Sequence, residues 1–158
     1  WRHLFRSFSV LAHSTLVRTQ INNSSLSMIK TIEISSSFDE LEGIVDEAEA
    51  FFGQCFTDDE KVYTGVLLAS EMVTNAIEHG NELVESKKVF IEFHKKDTTV
   101  ELWVEDQGSG FVRESVSNPL SEEHLFDDGG RGIFLIEKLA DKVLYEKEGR
   151  RVGVLFNL

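Results

Sequence analysis

The hydrophobic pattern changes from helical to alternating near residue 85, and this change constrains the fold more than any other feature of the sequence. Before it, apolar side chains recur at helical spacing in two segments. After it, apolar and polar residues alternate in two segments joined by a turn at residues 95–98, which is typical of an antiparallel hairpin. The combination predicts an α+β domain with helices on one face of a mostly antiparallel sheet.

Two helices are predicted by start signals that precede apolar faces. Ser37 and Thr57 each stand three residues before a glutamate, the pattern of a capping box, and glycines at Gly53 and Gly80 are typical helix ends. The positions predicted to face the core are Phe38, Leu41, Val45, Ala48 and Phe52 in the first helix, and Val62, Val66, Ala69, Val73, Ala76 and Ile77 in the second.

The remaining elements follow from shorter patterns. A strand is predicted at residues 29–34, hairpin strands at 89–93 and 100–104, and final strands at 143–145 and 152–156. A third helix is expected to start near Arg131. The predicted order is strand, helix, helix, strand, strand, loop, helix, strand, strand.

Composition excludes several classes of protein. The chain has 158 residues, 41% of them hydrophobic, which suits one globular domain. A net charge of −12 argues against a protein that follows nucleic-acid phosphates. No stretch approaches the ~20 apolar residues of a membrane span. Cys55 is the only cysteine, which excludes an intramolecular disulfide and agrees with a cytoplasmic location.

The first 27 residues differ from the rest in composition. They contain three arginines, six serines and no acidic residue, whereas all 28 acidic residues follow Met28. A transit peptide has such a composition, but an upstream extension before a natural start at Met28 explains it better. We expect residues 1–27 to be a disordered leader or extension, and residues 28–158 to form the domain.

The first candidate motif lies on the second helix. Glu71, Asn75 and His79 are four residues apart and form one polar stripe beside the apolar face. An Asn oxygen can occupy one position around Mg²⁺, and a Glu one turn earlier can take a proton from a hydroxyl. The alternative is a solvated helix face.

The second motif follows a hairpin strand. Asp106 can accept a hydrogen bond from an adenine amino group, and Gly108 and Gly110 let backbone approach the base closely. An ordinary Asp/Gly turn explains this motif equally well when it is considered alone.

The third motif, at residues 128–136, is rich in glycine. Gly129, Gly130 and Gly132 are predicted to form a flexible loop ahead of an apolar helix, and its free N–H groups and the positive helix end suit polyphosphate. No G-K-[ST] sequence follows, so this is not a Walker loop. A glycine-rich hinge is the alternative. The aperiodic residues 107–128 predict a lid over nucleotide or a disordered loop.

Together, in this order and spacing, the three motifs resemble the N, G1 and G2 boxes of the GHKL superfamily of ATPases. The runs Asn-Ala-Ile-Glu-His-Gly-Asn and Gly-Gly-Arg-Gly-Ile-Phe-Leu-Ile resemble those of the anti-sigma-factor serine kinases. This resemblance implies a Bergerat fold with an ATP lid, bound ATP and Mg²⁺, and often a homodimer. It also implies two protein partners, a sigma factor and an anti-anti-sigma protein of the STAS type.

The resemblance also assigns roles to residues. Glu71 corresponds to the general base, Asn75 to the Mg²⁺ ligand and Asp106 to the adenine acceptor. The glycines Gly108, Gly110, Gly129, Gly130 and Gly132 correspond to pocket residues. Arg131 could stabilise γ-phosphate charge or be solvated, and His79 could orient the Mg²⁺ shell or, more simply, cap the helix.

The leading hypothesis is therefore a cytoplasmic protein serine/threonine kinase that acts as an anti-sigma factor, without direct nucleic-acid or membrane binding. A nucleotide-gated anti-sigma module without kinase turnover is the alternative. A histidine kinase or a gyrase-like ATPase would require additional segments.

Overall fold

In the part of the chain that the structure describes, seven antiparallel strands form one sheet, which is one of the two layers of the fold. The structure, a computed structural model, describes residues 6–11, 15–22, 27–110 and 128–158. In chain order the strands are β1 (Arg6–Leu11), β2 (Thr15–Asn22), β3 (Ser27–Ser35), β4 (Lys88–Lys95), β5 (Thr99–Glu105), β6 (Lys142–Glu146) and β7 (Arg151–Asn157). They pair in the order β1-β2-β3-β4-β5-β7-β6.

Within the described ranges, three α-helices supply the second layer. They are α1 (Leu41–Cys55), α2 (Asp59–Asn75) and α3 (Asp128–Leu139). α1 packs along α2, and α2 contacts α3. The predicted α+β arrangement, with helices on one face of an antiparallel sheet, is confirmed. Among the described residues, no helix combines the length and apolar character needed to cross a bilayer.

Aromatic side chains of α1 join this helix to the sheet. Phe52 contacts the ring of Phe93 on β4 at 5.8 Å and that of Phe156 on β7 at 5.8 Å, both edge to face. Such pairs add to the energy of burial. Phe38, predicted for the core, is instead 45% exposed, because it lies in a short turn before α1. Phe51, which was not among the predicted core positions, is buried.

Successive side chains of a strand point to opposite faces of the sheet, and charged side chains lie on the face that the helices do not cover. Arg151 stacks over the Trp103 ring at 4.8 Å and pairs with Glu92 at 3.0 Å and Glu105 at 3.4 Å. A methyl group on Gly153 would lie 2.5 Å from the Trp103 ring, so the absence of a side chain at Gly153 makes room for this stack. Charge pairing therefore organises the face that the helices leave uncovered.

The helix boundaries differ from the predicted ones by a few residues. Ser37 caps a short 3₁₀ turn, Phe38–Glu40, rather than α1 itself. α1 continues two residues beyond Gly53, which is exposed and adjoins open space. Asp58 caps α2 in place of Thr57, and its Oδ1 accepts the N–H two residues later at 2.9 Å. Neighbouring Asp and Thr residues compete for the same cap, and Asp is the stronger capping residue.

Two strands, β1 and β2, lie within residues 1–27, the segment expected to be a disordered leader or an upstream extension. β2 pairs with β3 in a register that includes Leu16↔Glu33, and Val17 is only 4% exposed within the core. The edge of β3 offers unpaired backbone groups that a preceding segment can satisfy, and composition gives no information about such pairing. That residues 1–27 extend the domain from upstream stays a prediction.

Candidate functional site

The polar residues predicted on the second helix lie at its C-terminal end. α2 ends at Asn75, and the backbone then widens into a π-helix, Ala76–Gly80, in which the N–H of Asn81 donates to the carbonyl of Ala76 at 2.7 Å. Widened turns of this kind are frequent at functional sites. The predicted stripe assumed continuous α-helix, so the change of pitch separates His79, which is exposed, from the α-helical phase of Asn75.

Glu71 and Asn75 face Gly132 of α3. A methyl group built on Gly132 would lie 3.0 Å from Nδ2 and 3.1 Å from Oδ1 of Asn75, and 3.1 Å from Oε2 of Glu71. These separations are tighter than ordinary van der Waals contact, so the close approach of α3 depends on a residue without a side chain. Both polar side chains are half-buried. The structure thus brings the first and third motifs together.

Asp106 lies against the end of the π-helix. Its Oδ1 accepts a hydrogen bond from the N–H of Gly108 at 2.7 Å. A methyl group on Gly80 would overlap the Asp106 carboxylate, and a methyl group on Gly108 would overlap the carbonyl oxygen of Gly80. The second motif therefore closes directly onto the helix that carries the first motif, and two glycines make this contact possible.

Two contacts lie at the C-terminal end of α2 and in the π-helix that follows it. One joins Gly132 to Glu71 and Asn75, and the other joins Asp106 to Gly80. Asn75 and Gly80 are five residues apart, which corresponds to roughly 7 Å along a helix axis. Gly132 adjoins the first of these positions and Asp106 adjoins the second. Residues from all three predicted motifs thus surround one end of one helix.

The Asp106 carboxyl is partly removed from water. Burial raises its pKa, while the Gly108 N–H and the positive charges of Arg150 and Lys87 act in the opposite direction. The net effect is a raised pKa because desolvation is the largest contribution. Desolvated carboxylates in clefts are typical of ligand-binding positions.

Gly110 occupies a different environment from Gly108. Its φ angle is +80°, and a methyl group there would overlap the carbonyl oxygen of Glu148 in the turn between β6 and β7. The carbonyl carbon of Glu148 would lie 3.1 Å from this methyl group, and the Cγ of Arg150 would lie 3.3 Å from it. The structure therefore packs Gly110 against the final hairpin, where positive φ and close backbone contact both favour glycine.

The glycine-rich motif forms the first turn of α3 rather than a loop ahead of it. The helix begins at Asp128, three residues before Arg131, and Gly129, Gly130 and Gly132 lie within its first five residues. The first four N–H groups of an α-helix have no intrahelical acceptor. The turn thus presents the donors predicted for this motif. The side chain of Arg131 and the predicted lid between residues 110 and 128 lie outside the described residues.

A buried asparagine next to these motifs has no counterpart among the predicted site residues. Asn81 is 0% exposed, and its side chain bonds to the backbones of Lys88 and Gln107. In the sequence, Asn81 directly follows Gly80, and glycine and asparagine are both common at helix ends. No sequence signal distinguishes an exposed asparagine that ends a helix from a buried asparagine that bonds to two backbone segments.

Comparison with known proteins agrees with the assembly of the three motifs. Residues 34–156 match the family described as histidine kinase-like ATPase domain. The chain is 32% identical over 90 residues to the serine-protein kinase RsbW of Listeria innocua, an alignment that covers 52% of this chain and 57% of that protein. It is 32% identical over 83 residues to RsbW of Bacillus licheniformis, covering 49% and 52%.

A longer alignment exists with the serine-protein kinase RsbW of Staphylococcus epidermidis, which is 30% identical over 123 residues and covers 73% of each protein. The chain spans little more than half the length of the Listeria innocua and Bacillus licheniformis relatives. The family match covers most of the chain and includes α1, α2, α3 and the strands β4 and β5, whereas β1 and β2 precede it. The predicted Bergerat fold is thereby confirmed, and the chain belongs to the histidine kinase-like ATPase domain family, among the proteins similar to serine-protein kinase RsbW.

Proposed function

We propose that this chain is a Mg²⁺- and ATP-dependent protein serine/threonine kinase that acts as an anti-sigma factor in the cytoplasm. One observation carries the proposal: Gly132, in the first turns of α3, packs against Glu71 and Asn75 at the end of α2 that also contacts Asp106. A potential base, a potential metal ligand, phosphate-binding N–H groups and a base-binding carboxylate then surround one ligand.

The residues around Asp106 fit an adenine base. Among the described residues, Asp106 uses Oδ1 to accept the Gly108 N–H, and Oδ2 lies beside Gly80. A carboxylate oxygen can accept a hydrogen bond from the adenine amino group. The absence of side chains at Gly80 and Gly108 keeps two Cβ atoms away from this carboxylate, and close approach of backbone to a planar base favours such positions.

The residues at the other end of the site fit Mg²⁺ and phosphate. The Asn75 Oδ1 atom would supply one protein ligand to Mg²⁺, which usually retains waters and takes further oxygens from phosphates. The N–H groups of the first turn of α3 and the positive end of its dipole would bind phosphate oxygens. Mg²⁺ supplies charge neutralisation for phosphoryl transfer when it is bound.

Glu71 is suited to act as the general base. Its carboxylate is half-buried, lies one turn before Asn75 and faces the start of α3. It would accept the proton of a serine or threonine hydroxyl that attacks the γ-phosphate. Arg131 would stabilise γ-phosphate charge, His79 would support the end of the helix, and residues between 110 and 128 would close over the nucleotide.

The protein partners follow from the similarity to serine-protein kinase RsbW and from the family resemblance of the motifs. The proposed partners are a sigma factor that is held inactive and a STAS-type anti-anti-sigma protein that is phosphorylated. We also propose a homodimer, with no direct contact to nucleic acid or membrane.

The test is transfer of labelled γ-phosphate from ATP to a purified STAS-type anti-anti-sigma protein. Glu71→Gln should lower the rate by about 10²-fold or more because the base is lost, while ATP binding persists. Glu60→Gln is the matched control, since Glu60 is an exposed glutamate at the opposite end of α2.

The outcomes separate the two candidate functions. No transfer by the wild type, together with ATP-dependent binding of a sigma factor, would favour a nucleotide-gated module over a kinase. Transfer that is equally fast in wild type and Glu71→Gln would exclude the proposed role of Glu71.

A further inference from the structure

Three hydrogen bonds form a closed ring next to Asp106. The Asn81 Nδ2 donates to the carbonyl of Lys88 at 3.0 Å, and the N–H of Gln107 donates to Asn81 Oδ1 at 2.8 Å. The N–H of Lys88 donates to Gln107 Oε1 at 2.7 Å. Each residue therefore bonds to both of the others.

The ring joins three segments that are distant in sequence. Asn81 directly follows the π-helix, Lys88 begins β4, and Gln107 follows β5 by two residues. Asn81 is further fixed by its own N–H, which donates to the Ala76 carbonyl at 2.7 Å. The ring thus connects the end of the π-helix that follows α2 to the turn that carries the Asp106 carboxylate.

Asp106 is held on both sides by these contacts. Its N–H donates to the carbonyl of Arg150 at 2.9 Å, and the next residue, Gln107, is held by Asn81 at 2.8 Å. The position of the Asp106 carboxylate relative to Gly80 therefore depends on the Gln107–Asn81 bond.

Asparagine is the side chain that satisfies both bonds. It offers an acceptor and a donor on one short planar group, whereas aspartate lacks the donor and leucine lacks both. Because Asn81 is fully buried, loss of either bond would leave a backbone group without a partner, and such loss is costly.

We propose that Asn81 is a positioning residue that fixes Asp106 for recognition of the adenine amino group, and that Gln107 completes this brace. The inference rests on the proposed binding of ATP. Its consequence is that Asn81 determines base specificity without touching the nucleotide, because a small displacement of the 106–108 turn would misalign the Asp106 acceptor.

The experiment compares the affinities of the Mg²⁺ complexes of ATP and ITP by titration calorimetry. ITP carries a carbonyl oxygen where ATP carries the amino group, so the ratio of the two affinities measures recognition by Asp106. Asn81→Ala should lower this ratio by about tenfold, the effect of losing one well-placed hydrogen bond. Val89→Ala is the control, because Val89 is a fully buried neighbour of Lys88 that takes no part in the ring.

A merely structural role would weaken the binding of both nucleotides equally. Asn81→Ala would then leave the ratio as close to wild type as Val89→Ala does, and this result would overturn the proposal. In an Asp106→Asn background, Asn81→Ala should leave the ratio unchanged, because the residue through which it acts has been altered. An additive effect in that background would overturn the proposal.

Two further results keep the test decisive. If Asn81→Ala does not fold, Gln107→Ala replaces it, because Gln107 is exposed and its side chain supplies one bond of the ring. The ratio of the ATP and ITP affinities should then fall by about threefold. An unchanged ratio would overturn the inference. A wild type that binds neither nucleotide would contradict the proposed function itself, whereas binding and discrimination that survive Asn81→Ala would contradict only this inference.

Discussion

Gly132 of α3 packs so closely against the carboxamide of Asn75 on α2 that a methyl group on Gly132 would lie 3.0 Å from its Nδ2 atom. This contact joins the first and third motifs through two residues that are 57 positions apart in the sequence. It makes the geometry of the proposed phosphate site depend on the absence of one side chain.

Gly132→Ala should therefore impair function more than stability. Alanine favours helix by about 0.5–1 kcal/mol over glycine, which offsets the cost of a tight contact. The methyl group would displace Asn75 or Glu71, and we expect the phosphoryl-transfer rate to fall at least about tenfold. The rate and the urea midpoint would be measured on the same preparation.

Gly43→Ala is the matched control for this prediction. Gly43 lies in α1, where an added methyl group meets no atom within 4 Å. It should raise stability by about 0.5–1 kcal/mol and leave the rate unchanged. Equal rates in wild type and Gly132→Ala would contradict the proposed proximity of α3 to the reacting phosphate.

Asp106→Asn should separate base recognition from stability. Burial raises the pKa of Asp106 in the folded state, so its contribution to stability is present below the unfolded pKa and is lost as pH rises through the folded pKa. The neutral amide retains an acceptor for the Gly108 N–H. We expect the variant to be at least as stable as wild type at pH 7.5, with this advantage decreasing toward pH 4.

The same substitution places a donor where the adenine amino group would approach. The ATP affinity should therefore fall, and the preference for ATP over ITP should decrease or reverse. Unfolding by urea at both pH values and titration with both nucleotides check the two parts. A variant that loses stability at pH 7.5 but retains its preference for ATP would contradict both expectations.

Glu92→Gln should produce a stability loss that depends on pH. Hydrogen bonds from His94 and Arg151 lower the pKa of Glu92 from 4.5 to about 2, although burial acts against them. A lowered pKa means that the contribution is present above the unfolded pKa of 4.5 and is lost as pH falls toward 2. We expect a loss of about 1–3 kcal/mol at pH 7 that shrinks steadily below pH 4.5.

Urea unfolding of Glu92→Gln and wild type between pH 7 and pH 3 measures this dependence. The exposed Glu85 provides the control, since Glu85→Gln should change stability by less than about 0.5 kcal/mol at every pH. A loss for Glu92→Gln that is constant with pH would indicate that packing, and not charge, explains it.

Gly110→Ala should destabilise the fold. The φ angle of +80° disfavours a side chain, and the methyl group would overlap the carbonyl oxygen of Glu148. We expect a loss of about 1–3 kcal/mol in the free energy of unfolding, with ATP affinity unchanged at temperatures where the variant is folded. Weaker ATP binding at unchanged stability would instead place Gly110 in the nucleotide pocket. Gly53→Ala, in open space at the end of α1, should leave both quantities near wild type.

The sequence alone predicted the elements that depend on local periodicity. The hairpin of β4 and β5, the two helices and the final strands all follow from spacing of apolar residues, and their boundaries shifted by only a few residues. The boundaries of these elements are harder to predict than their type, because neighbouring capping residues compete, as Asp58 and Thr57 do at the start of α2.

Pairing between distant segments could not be predicted in this way. β2 forms against the edge of β3 and β1 forms against β2, whereas the composition of these residues predicted a disordered leader or an upstream extension. The π-helix after Asn75 likewise depends on contacts that a local pattern does not contain.

What the sequence determined by itself was the set of chemical groups: a carboxylate and an amide one turn apart on a helix, an Asp at the end of a strand, and glycines at the start of another helix. Only the tertiary structure decided which groups meet. In it, Gly132 packs against Asn75 and Gly110 packs against the final hairpin. The buried side chain of Asn81 bonds to two backbone segments. The physical reason is that residue type and spacing fix local conformation, whereas proximity across the chain depends on how the helices pack on the sheet.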